Sequence, residues 1–236
     1  MNAEQYQQVL QDANIEAKIL DDYAIRLAEP MPVSQLPQFA TGVVSVQDFG
    51  AQQAAYLLNP QNGDRILDAC AAPGGTTGHI LELADCAVTA LDIDAKRLAR
   101  VQDNLTRLGF QAALHCAPAE DLSAWYDDCL YDAILADVPC TASGTIKRNP
   151  DIKWLRRPTD ALKTARQQEA MLDVLWTTLK SGGRMLLATC SVFEEENSLQ
   201  CRKFLQRHEN ATLREEKMFL PSEKQDGFYY ALIDKK

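Results

Sequence analysis

The pattern of apolar and polar residues changes near residue 65. From there on, short and almost continuously apolar runs alternate with segments of helical length, and the runs lie at 65–70, 87–92, 131–137 and 184–189. Such runs are typical of strands that are covered on both faces, as in a parallel sheet between two layers of helices. The pattern therefore predicts repeated strand–helix units.

Two helices are predicted between these strands. In 95–109, Leu98, Val101 and Leu105 recur at spacings of three and four residues, and 159–183 has the same periodicity before a pair of glycines. This alternation predicts an α/β fold with a Rossmann-like, doubly wound and mostly parallel sheet. Because such sheets bind ligands beyond the carboxyl ends of their strands, chemistry is expected in the residues that follow each strand.

The N-terminal residues have a different pattern. Tyr6, Val9 and Leu10 indicate a short amphipathic helix, the run YAIRLAE indicates a strand, and a proline-rich stretch follows it. We therefore predict a small N-terminal α+β appendage over 1–45 and the large domain over 46–236.

Length and composition narrow the class of protein. A chain of 236 residues with 46% hydrophobic residues can bury one sizeable core. It has neither a positively charged start followed by an apolar segment nor an apolar run of about 18 residues, so we expect a cytoplasmic protein without a membrane partner. The seven cysteines form no CxxC pair and the three histidines are scattered. We therefore expect reduced thiols, no metal and a monomer.

Charge is distributed unevenly. The net charge of −9 argues against a nucleic-acid partner, but seven basic residues face three acidic ones between 145 and 170. This segment is the candidate phosphate-binding surface, although a solvated charged face would have the same composition.

A glycine-rich loop follows the first predicted strand in the run LDACAAPGGTTGHI. Gly74 and Gly75 would let the backbone approach a ligand, Pro73 would stiffen the turn, and an ordinary turn would look similar. The next strand ends in Asp92, where an acidic side chain can bind the ribose of an adenosine cofactor. A dinucleotide and S-adenosylmethionine both remain possible, but the absence of G-x-G-x-x-G disfavours the dinucleotide.

Two cysteines follow central strands. Cys140 comes soon after Asp137, and Cys190 comes directly after Thr189. In a doubly wound sheet both would converge on one crevice, although each alone could be a buried, inert thiol.

The motifs DACAAPGG, ALDIDAKRL, DVPCTASGTIKRNPDIKW, ATCSVFEEENS and DGFYYA resemble those of the RNA cytosine-C5 methyltransferases, and within them the small-subunit ribosomal RNA branch. The resemblance extends from about residue 46 to 231. It implies a class I S-adenosylmethionine-dependent methyltransferase fold and methyl transfer to C5 of a cytosine in 16S ribosomal RNA, before or during subunit assembly.

The resemblance also implies roles for individual residues. Cys190 would be the nucleophile that adds to C6 of the base, Cys140 would help to release the product, and Asp137 would position the base. Phosphate contacts are expected from Lys147, Arg148 and Lys153. The cofactor contacts implied are Cys70, Ala71, Ala72, Pro73, Gly74, Gly75, Thr76, Asp92 and Asp137.

Two local features bear on this chemistry. Ser191 followed by Glu194 is a capping-box pattern, which predicts that a helix begins just after Cys190 and that its dipole favours the thiolate, with the neighbouring glutamates facing solvent. Trp154 and one of Phe228 or Tyr229 are candidates to stack on bases, although strand aromatics are more often core residues.

The chain departs from the family pattern in three places. Thr76 replaces a lysine, Pro118 replaces an aspartate, and residues 1–45 are too short for the helical RNA-binding domain of relatives. A transfer RNA methyltransferase, or an RNA-binding module with a weakened cofactor site, therefore remains an alternative.

Overall fold

The computed structural model describes residues 1–157 and 159–236. Within them the strands are β1 (Ala17–Ile19), β2 (Ile25–Leu27), β3 (Arg65–Ala69), β4 (Ala87–Asp92), β5 (Ala113–Cys116), β6 (Tyr131–Asp137), β7 (Leu179–Thr189), β8 (Ala211–Phe219) and β9 (Phe228–Lys235). The helices are α1 (Ala3–Asp12), α2 (Phe49–Leu58), α3 (Gly75–Leu83), α4 (Ala95–Leu108), α5 (Ile152–Leu155), α6 (Asp160–Thr177) and α7 (Ser198–Arg207). None of the described helices is both long and apolar enough to span a membrane.

Seven strands form the central sheet in the order β5-β4-β3-β6-β7-β9-β8. The first five are parallel, and β9 runs antiparallel between β7 and β8. The predicted doubly wound, mostly parallel sheet is confirmed. The strand order reverses between β3 and β6, so the ligand crevice of this fold lies beyond the carboxyl ends of those two strands.

Alternate residues of each central strand pack on opposite faces of the sheet, which explains the continuous apolar runs. Leu67 and Leu187 face α6 and α7, whereas Ile66 and Leu186 face α2 and α3. Both layers are buried, so the sheet is held rigidly enough to present its strand ends at fixed positions.

The segment predicted as one long helix divides into α6 and the first part of β7. The helix ends at Thr177, and the glycine pair lies inside the strand. Leu179 already pairs with Tyr131 of β6, whereas Arg184 pairs with Ala133, so the intervening residues bulge out of the ladder. Pairing with a neighbouring strand overrides the local helical periodicity here.

The N-terminal residues form a small cluster of their own. Tyr6 and Leu10 of α1 pack with Leu36 beside the β1–β2 hairpin, so the predicted helix and strand are present and β1 is an additional strand. Arg107 of α4 donates hydrogen bonds to the carbonyl oxygens of Phe39 and Val44, both at 2.9 Å. The domain division between residues 45 and 46 remains a prediction.

Candidate active site

The two cysteines selected from the sequence lie side by side. They follow the adjacent parallel strands β6 and β7, in which Asp137 pairs with Ala188. The Sγ atoms of Cys140 and Cys190 are 3.5 Å apart. Sheet topology therefore brings together two thiols that are 50 residues apart in sequence.

The two sulfurs are close enough to share a hydrogen bond. The pKa of the Cys140 thiol is raised well above its usual value, first by its hydrogen bond to Cys190 and then by burial. The raised pKa favours the protonated form of Cys140, whose S–H can donate to the Cys190 sulfur 3.5 Å away.

Close backbone contacts fix the loop that carries Cys140. The Gly144 N–H donates to the Cys190 carbonyl oxygen at 2.9 Å, and the Gly227 N–H donates to the Gly144 carbonyl oxygen at 2.9 Å. A Cβ atom on Gly144 would lie 2.4 Å from the Gly227 oxygen and 2.8 Å from the Cys190 oxygen. Only glycine fits between these two segments.

Carboxylates converge on the same edge of the sheet. Asp137 is solvent-exposed at the end of β6, but the protein atoms around it desolvate the carboxylate and raise its pKa to about 6, an effect that Arg97 partly opposes. Asp68 of β3 is 1% exposed, and burial raises its pKa to about 7 although the Thr77 hydroxyl donates to it at 2.6 Å. Sequence reasoning missed Asp68, for which the only signal was a charged residue inside an apolar strand.

The glycine-rich loop packs closely on α4. Gly74 has a φ of +94°, and a Cβ atom there would lie 3.0 Å from the Cα of Val101. The side chain of Asp92 is almost fully buried beside the loop, where it accepts hydrogen bonds from the backbone N–H groups of Ala72 (3.2 Å) and Asp94 (3.0 Å). The backbone thus holds this carboxylate in place at the end of β4.

A positive charge lies beside this loop even though Thr76 replaces the lysine of the family pattern. The guanidinium of Arg97 donates to the Ala72 carbonyl oxygen at 3.0 Å and lies 3.5 Å from the Asp92 carboxylate. Thr76 instead accepts a hydrogen bond from the Gln47 side chain at 3.3 Å. Neither Arg97 nor Gln47 was selected from the sequence.

The predicted helix start after Cys190 is wrong. Glu194–Glu196 form a single 3-10 turn, and α7 begins only at Ser198. The Ser191 hydroxyl accepts a hydrogen bond from the Phe193 N–H instead of forming a capping box with Glu194. A helix dipole therefore does not act directly on the Cys190 thiol.

The prediction that the glutamates face solvent holds for Glu194 and is wrong for Glu196. Glu194 is exposed, Glu195 is half-buried and Glu196 is fully buried. Glu196 turns inward because its carboxylate accepts hydrogen bonds from Thr141, Ser191 and Thr164.

The aromatic candidates for base stacking differ in their exposure to solvent. Trp154 of α5 is 80% exposed, and the Lys153 ammonium lies 5.1 Å from the centre of its ring. Tyr229 is buried in the core, and Phe228 stacks on Tyr230 with ring centres 6.0 Å apart. Of these aromatics, Trp154 is the one available to a nucleic acid base.

The basic residues expected to contact phosphate differ in whether they already contact other residues of the protein. Arg148 forms an ion pair with the buried carboxylate of Asp226 at 2.5 Å, and the Lys147 ammonium lies 3.4 Å from the carbonyl oxygen of Ser222. Lys153 forms no ion pair within the part of the chain that the structure describes. The described residues also bring together no cluster of histidine, cysteine and acidic side chains suited to a metal ion.

The chain is similar to known proteins over most of its length. Residues 55–234 match the profile described as 16S rRNA methyltransferase RsmB/F. Ribosomal RNA small subunit methyltransferase B from Salmonella arizonae is 47% identical over 97% of this chain and 56% of its own length, and that from Erwinia tasmaniensis is 49% identical over 90% and 52%. The chain thus spans about half the length of the curated relatives it matches.

Solved structures show the same fold. The crystal structure of PH0851 has a TM-score of 0.93 and 28% identity, and it covers all of this chain and 57% of its own. NSun6 from Pyrococcus horikoshii, solved with SFG, has a TM-score of 0.79 and 28% identity over 90% of this chain and 59% of its own. By sequence and by structure, the chain belongs to the RsmB/F family of 16S rRNA methyltransferases.

Proposed function

We propose that this chain transfers a methyl group from S-adenosylmethionine to C5 of a cytosine in 16S ribosomal RNA, through a covalent adduct between Cys190 and C6 of the base. The observation that carries the proposal is the pair of thiols, 3.5 Å apart beside Asp137 at the carboxyl ends of two adjacent strands. Relatives named ribosomal RNA small subunit methyltransferase B support the choice of RNA.

The residues of the loop and of β4 fit the cofactor. S-adenosylmethionine supplies an electrophilic methyl group when it is bound. The first N–H groups of α3 have no side-chain cap, so they can bind a carboxylate, and Asp92 can accept hydrogen bonds from ribose hydroxyls. NSun6 with SFG, an analogue of S-adenosylmethionine, supports this assignment. The residues proposed to hold the cofactor are Cys70, Ala71, Ala72, Pro73, Gly74, Gly75, Thr76, Asp92 and Asp137.

The thiol chemistry follows from the weak nucleophilicity of cytosine C5. Addition of the Cys190 thiolate to C6 makes C5 an enamine-like carbon that can accept a methyl group. Because the pKa of Asp137 is about 6, its carboxyl group can share a proton with N3 of the base and stabilise this state near neutral pH.

Release of the product needs two events. The C5 proton must leave, and the electrons of that C–H bond re-form the C5–C6 double bond as Cys190 departs as a thiolate. Cys140 lies 3.5 Å from the departing sulfur and can donate a hydrogen bond to it, while water accepts the C5 proton.

The exposed basic segment is proposed to hold the RNA. Lys147 and Arg148 lie at its start, and Lys153 and Trp154 are exposed on α5. Arg156 donates from Nε to the Thr141 carbonyl oxygen at 2.7 Å, which connects this segment directly to the Cys140 loop. Phosphate contacts there would offset the cost of a few kcal/mol for moving the target base out of its stack.

Two cysteine variants test the proposal with a 16S rRNA transcript and S-adenosylmethionine that carries a labelled methyl group. Cys190→Ala should lower methyl transfer to background, a loss of at least about 1,000-fold, because the nucleophile is removed. Cys140→Ala should instead accumulate a denaturant-resistant protein–RNA adduct. Cys129→Ala, which removes an exposed thiol elsewhere, is the control.

Wild-type activity in Cys190→Ala would contradict the assigned nucleophile. A transfer RNA transcript assayed in parallel separates the two RNA targets. Absence of methylation by the wild-type chain on either RNA, with cofactor bound, would favour an RNA-binding module.

A further inference from the structure

We infer that Glu196 is a positioning residue that ties the Cys140 loop to the Cys190 loop and so sets the separation of the two sulfurs. The inference rests on the proposed function, because the separation matters only if one thiol attacks the base and the other assists its release. Glu196 itself touches neither cysteine side chain within hydrogen-bond distance.

The carboxylate of Glu196 is fully buried and accepts four hydrogen bonds from three segments of the chain. Thr141, the residue after Cys140, donates from its N–H at 2.8 Å and from its hydroxyl at 2.6 Å. Ser191, the residue after Cys190, and Thr164 of α6 donate through their hydroxyls. One side chain therefore holds the immediate neighbours of both thiols.

No lysine or arginine forms an ion pair with Glu196 among the residues that the structure describes. Its charge is stabilised by hydroxyl and N–H dipoles alone. A buried carboxylate is costly unless such donors saturate it, so the donors and the loops that carry them are held to the carboxylate. The carboxylate therefore constrains the positions of Thr141, Ser191 and Thr164, although these residues take no direct part in the proposed reaction.

A second set of contacts surrounds the carboxylate. The hydroxyl of Ser143 lies 3.3 Å from that of Thr141 and 3.1 Å from that of Ser191, and it accepts a hydrogen bond from the Val192 N–H at 3.0 Å. The two cysteine loops thus share one buried polar cluster centred on Glu196. Without the Glu196 carboxylate, the two cysteine loops would lose their common hydrogen-bond acceptor, and the sulfurs would be free to move relative to each other.

The test is Glu196→Gln, which keeps the size of the side chain but replaces one accepting oxygen by an NH₂ group. Because a shift of about 1 Å in a catalytic group can cost about 100-fold in rate, kcat for methylation of the 16S rRNA transcript should fall about 10- to 100-fold. KM for the RNA should stay within about threefold, since the basic segment is unchanged. The fraction of enzyme trapped as the RNA adduct should rise above that of the wild type, because release depends on where Cys140 lies.

Glu195→Gln is the matched control, since Glu195 is the half-buried neighbour and makes no side-chain hydrogen bond within the described residues. Wild-type kcat and wild-type adduct level in a folded Glu196→Gln variant would overturn the inference. Absence of methylation by the wild-type chain would overturn the proposed function, and the inference with it.

Thr141→Val covers the case in which Glu196→Gln does not fold. This variant keeps the N–H donor of residue 141 and removes only the hydroxyl that donates to Glu196. A smaller fall in kcat with a raised adduct fraction would support the inference. An unchanged kcat and adduct fraction in Thr141→Val would contradict it.

Discussion

Asp68 and Glu196 are both buried carboxylates, but their surroundings differ. Glu196 is saturated by four donors from three segments. Asp68 accepts a hydrogen bond from Thr77, and the charges of Asp137 and Asp92 disfavour its ionisation further. Asp68 should therefore be neutral at mildly acidic pH, which links its protonation to the stability of the fold.

The replacement Asp68→Asn should change how stability depends on pH. The pKa of Asp68 is raised from 3.8 to about 7 in the folded state, so the native protein binds more protons than the unfolded chain between these values. Its contribution to stability is complete below about pH 4 and is lost as pH rises through about 7. The stability of the wild type relative to Asp68→Asn should thus fall by up to about 4 kcal/mol over that range, as measured by denaturant unfolding.

The control for this prediction is Asp85→Asn, which changes an exposed carboxylate. A wild-type-minus-variant difference that stays constant from pH 4 to pH 7.5 would show that Asp68 ionises normally.

The sequence identified the two thiols, but it gave no indication of the buried residue Glu196 that holds their loops. Cys140 and Cys190 could be selected because each follows an apolar strand in a family motif. The inward orientation of Glu196 could not be predicted, since its partners Thr141 and Thr164 are distant in sequence and only the folded sheet brings them to it.

Among the elements, the loop after β6 is the one most constrained by backbone contact. Gly144→Ala should disrupt it, because the added Cβ would lie 2.4 Å from the Gly227 carbonyl oxygen. We expect a loss of stability of about 1–3 kcal/mol and a clear fall in methyl transfer, since the Cys140 loop must move away from Cys190. Thermal unfolding and the methylation assay measure the two effects.

Gly109→Ala is the comparison, because residue 109 has open space around it and only its φ of +78° disfavours alanine. It should lose stability, by about 1 kcal/mol, but keep methyl transfer per folded molecule. Equal activity losses in the two variants would show that the close approach at Gly144 has no special role.

Four of the seven strands of the sheet, β3, β4, β6 and β7, could be predicted because burial on both faces leaves a continuous apolar signal, which the more exposed edge strands β5 and β8 lack. The ends of two elements could not. β7 begins before its glycine pair because Leu179 pairs with β6, and α7 begins late because Glu196 is pulled into the polar cluster. In both cases a contact between distant segments overrode a local pattern.

For the whole molecule, the distribution of charge matters more than its sum. The net charge is −9, yet Lys153, Arg156 and Arg157 are all exposed, and Arg156 contacts the Cys140 loop through the Thr141 carbonyl oxygen. An acidic protein can therefore present one basic surface to RNA, while the rest of its surface repels the polyanion and favours one orientation of approach.

Replacing Lys153 and Arg157 together by Gln should weaken binding to RNAs of different sequence by similar factors, because phosphate contacts do not read the bases. If each contacts one phosphate of a single strand, the slope of log affinity against log salt should become shallower by about 1.4. Titrations of a labelled 16S rRNA fragment at several salt concentrations measure this slope. The double variant Lys203→Gln with Lys236→Gln removes the same charge from other exposed positions, and an equal change in slope there would contradict a localised RNA surface.

The contact between Gly144 and Gly227 also determines when, during synthesis of the chain, the Cys140 loop can be completed. Gly227 and strand β9, which pairs with β7, come after both cysteines in the chain, so a ribosome delivers them after the cysteines. Until they emerge, the Cys140 loop lacks its contact with Gly227, and β7 lacks one neighbour. A nascent chain therefore carries both thiols before it has all the contacts that arrange them, and the Cys140 loop is fully supported only when the β8–β9 hairpin joins the sheet.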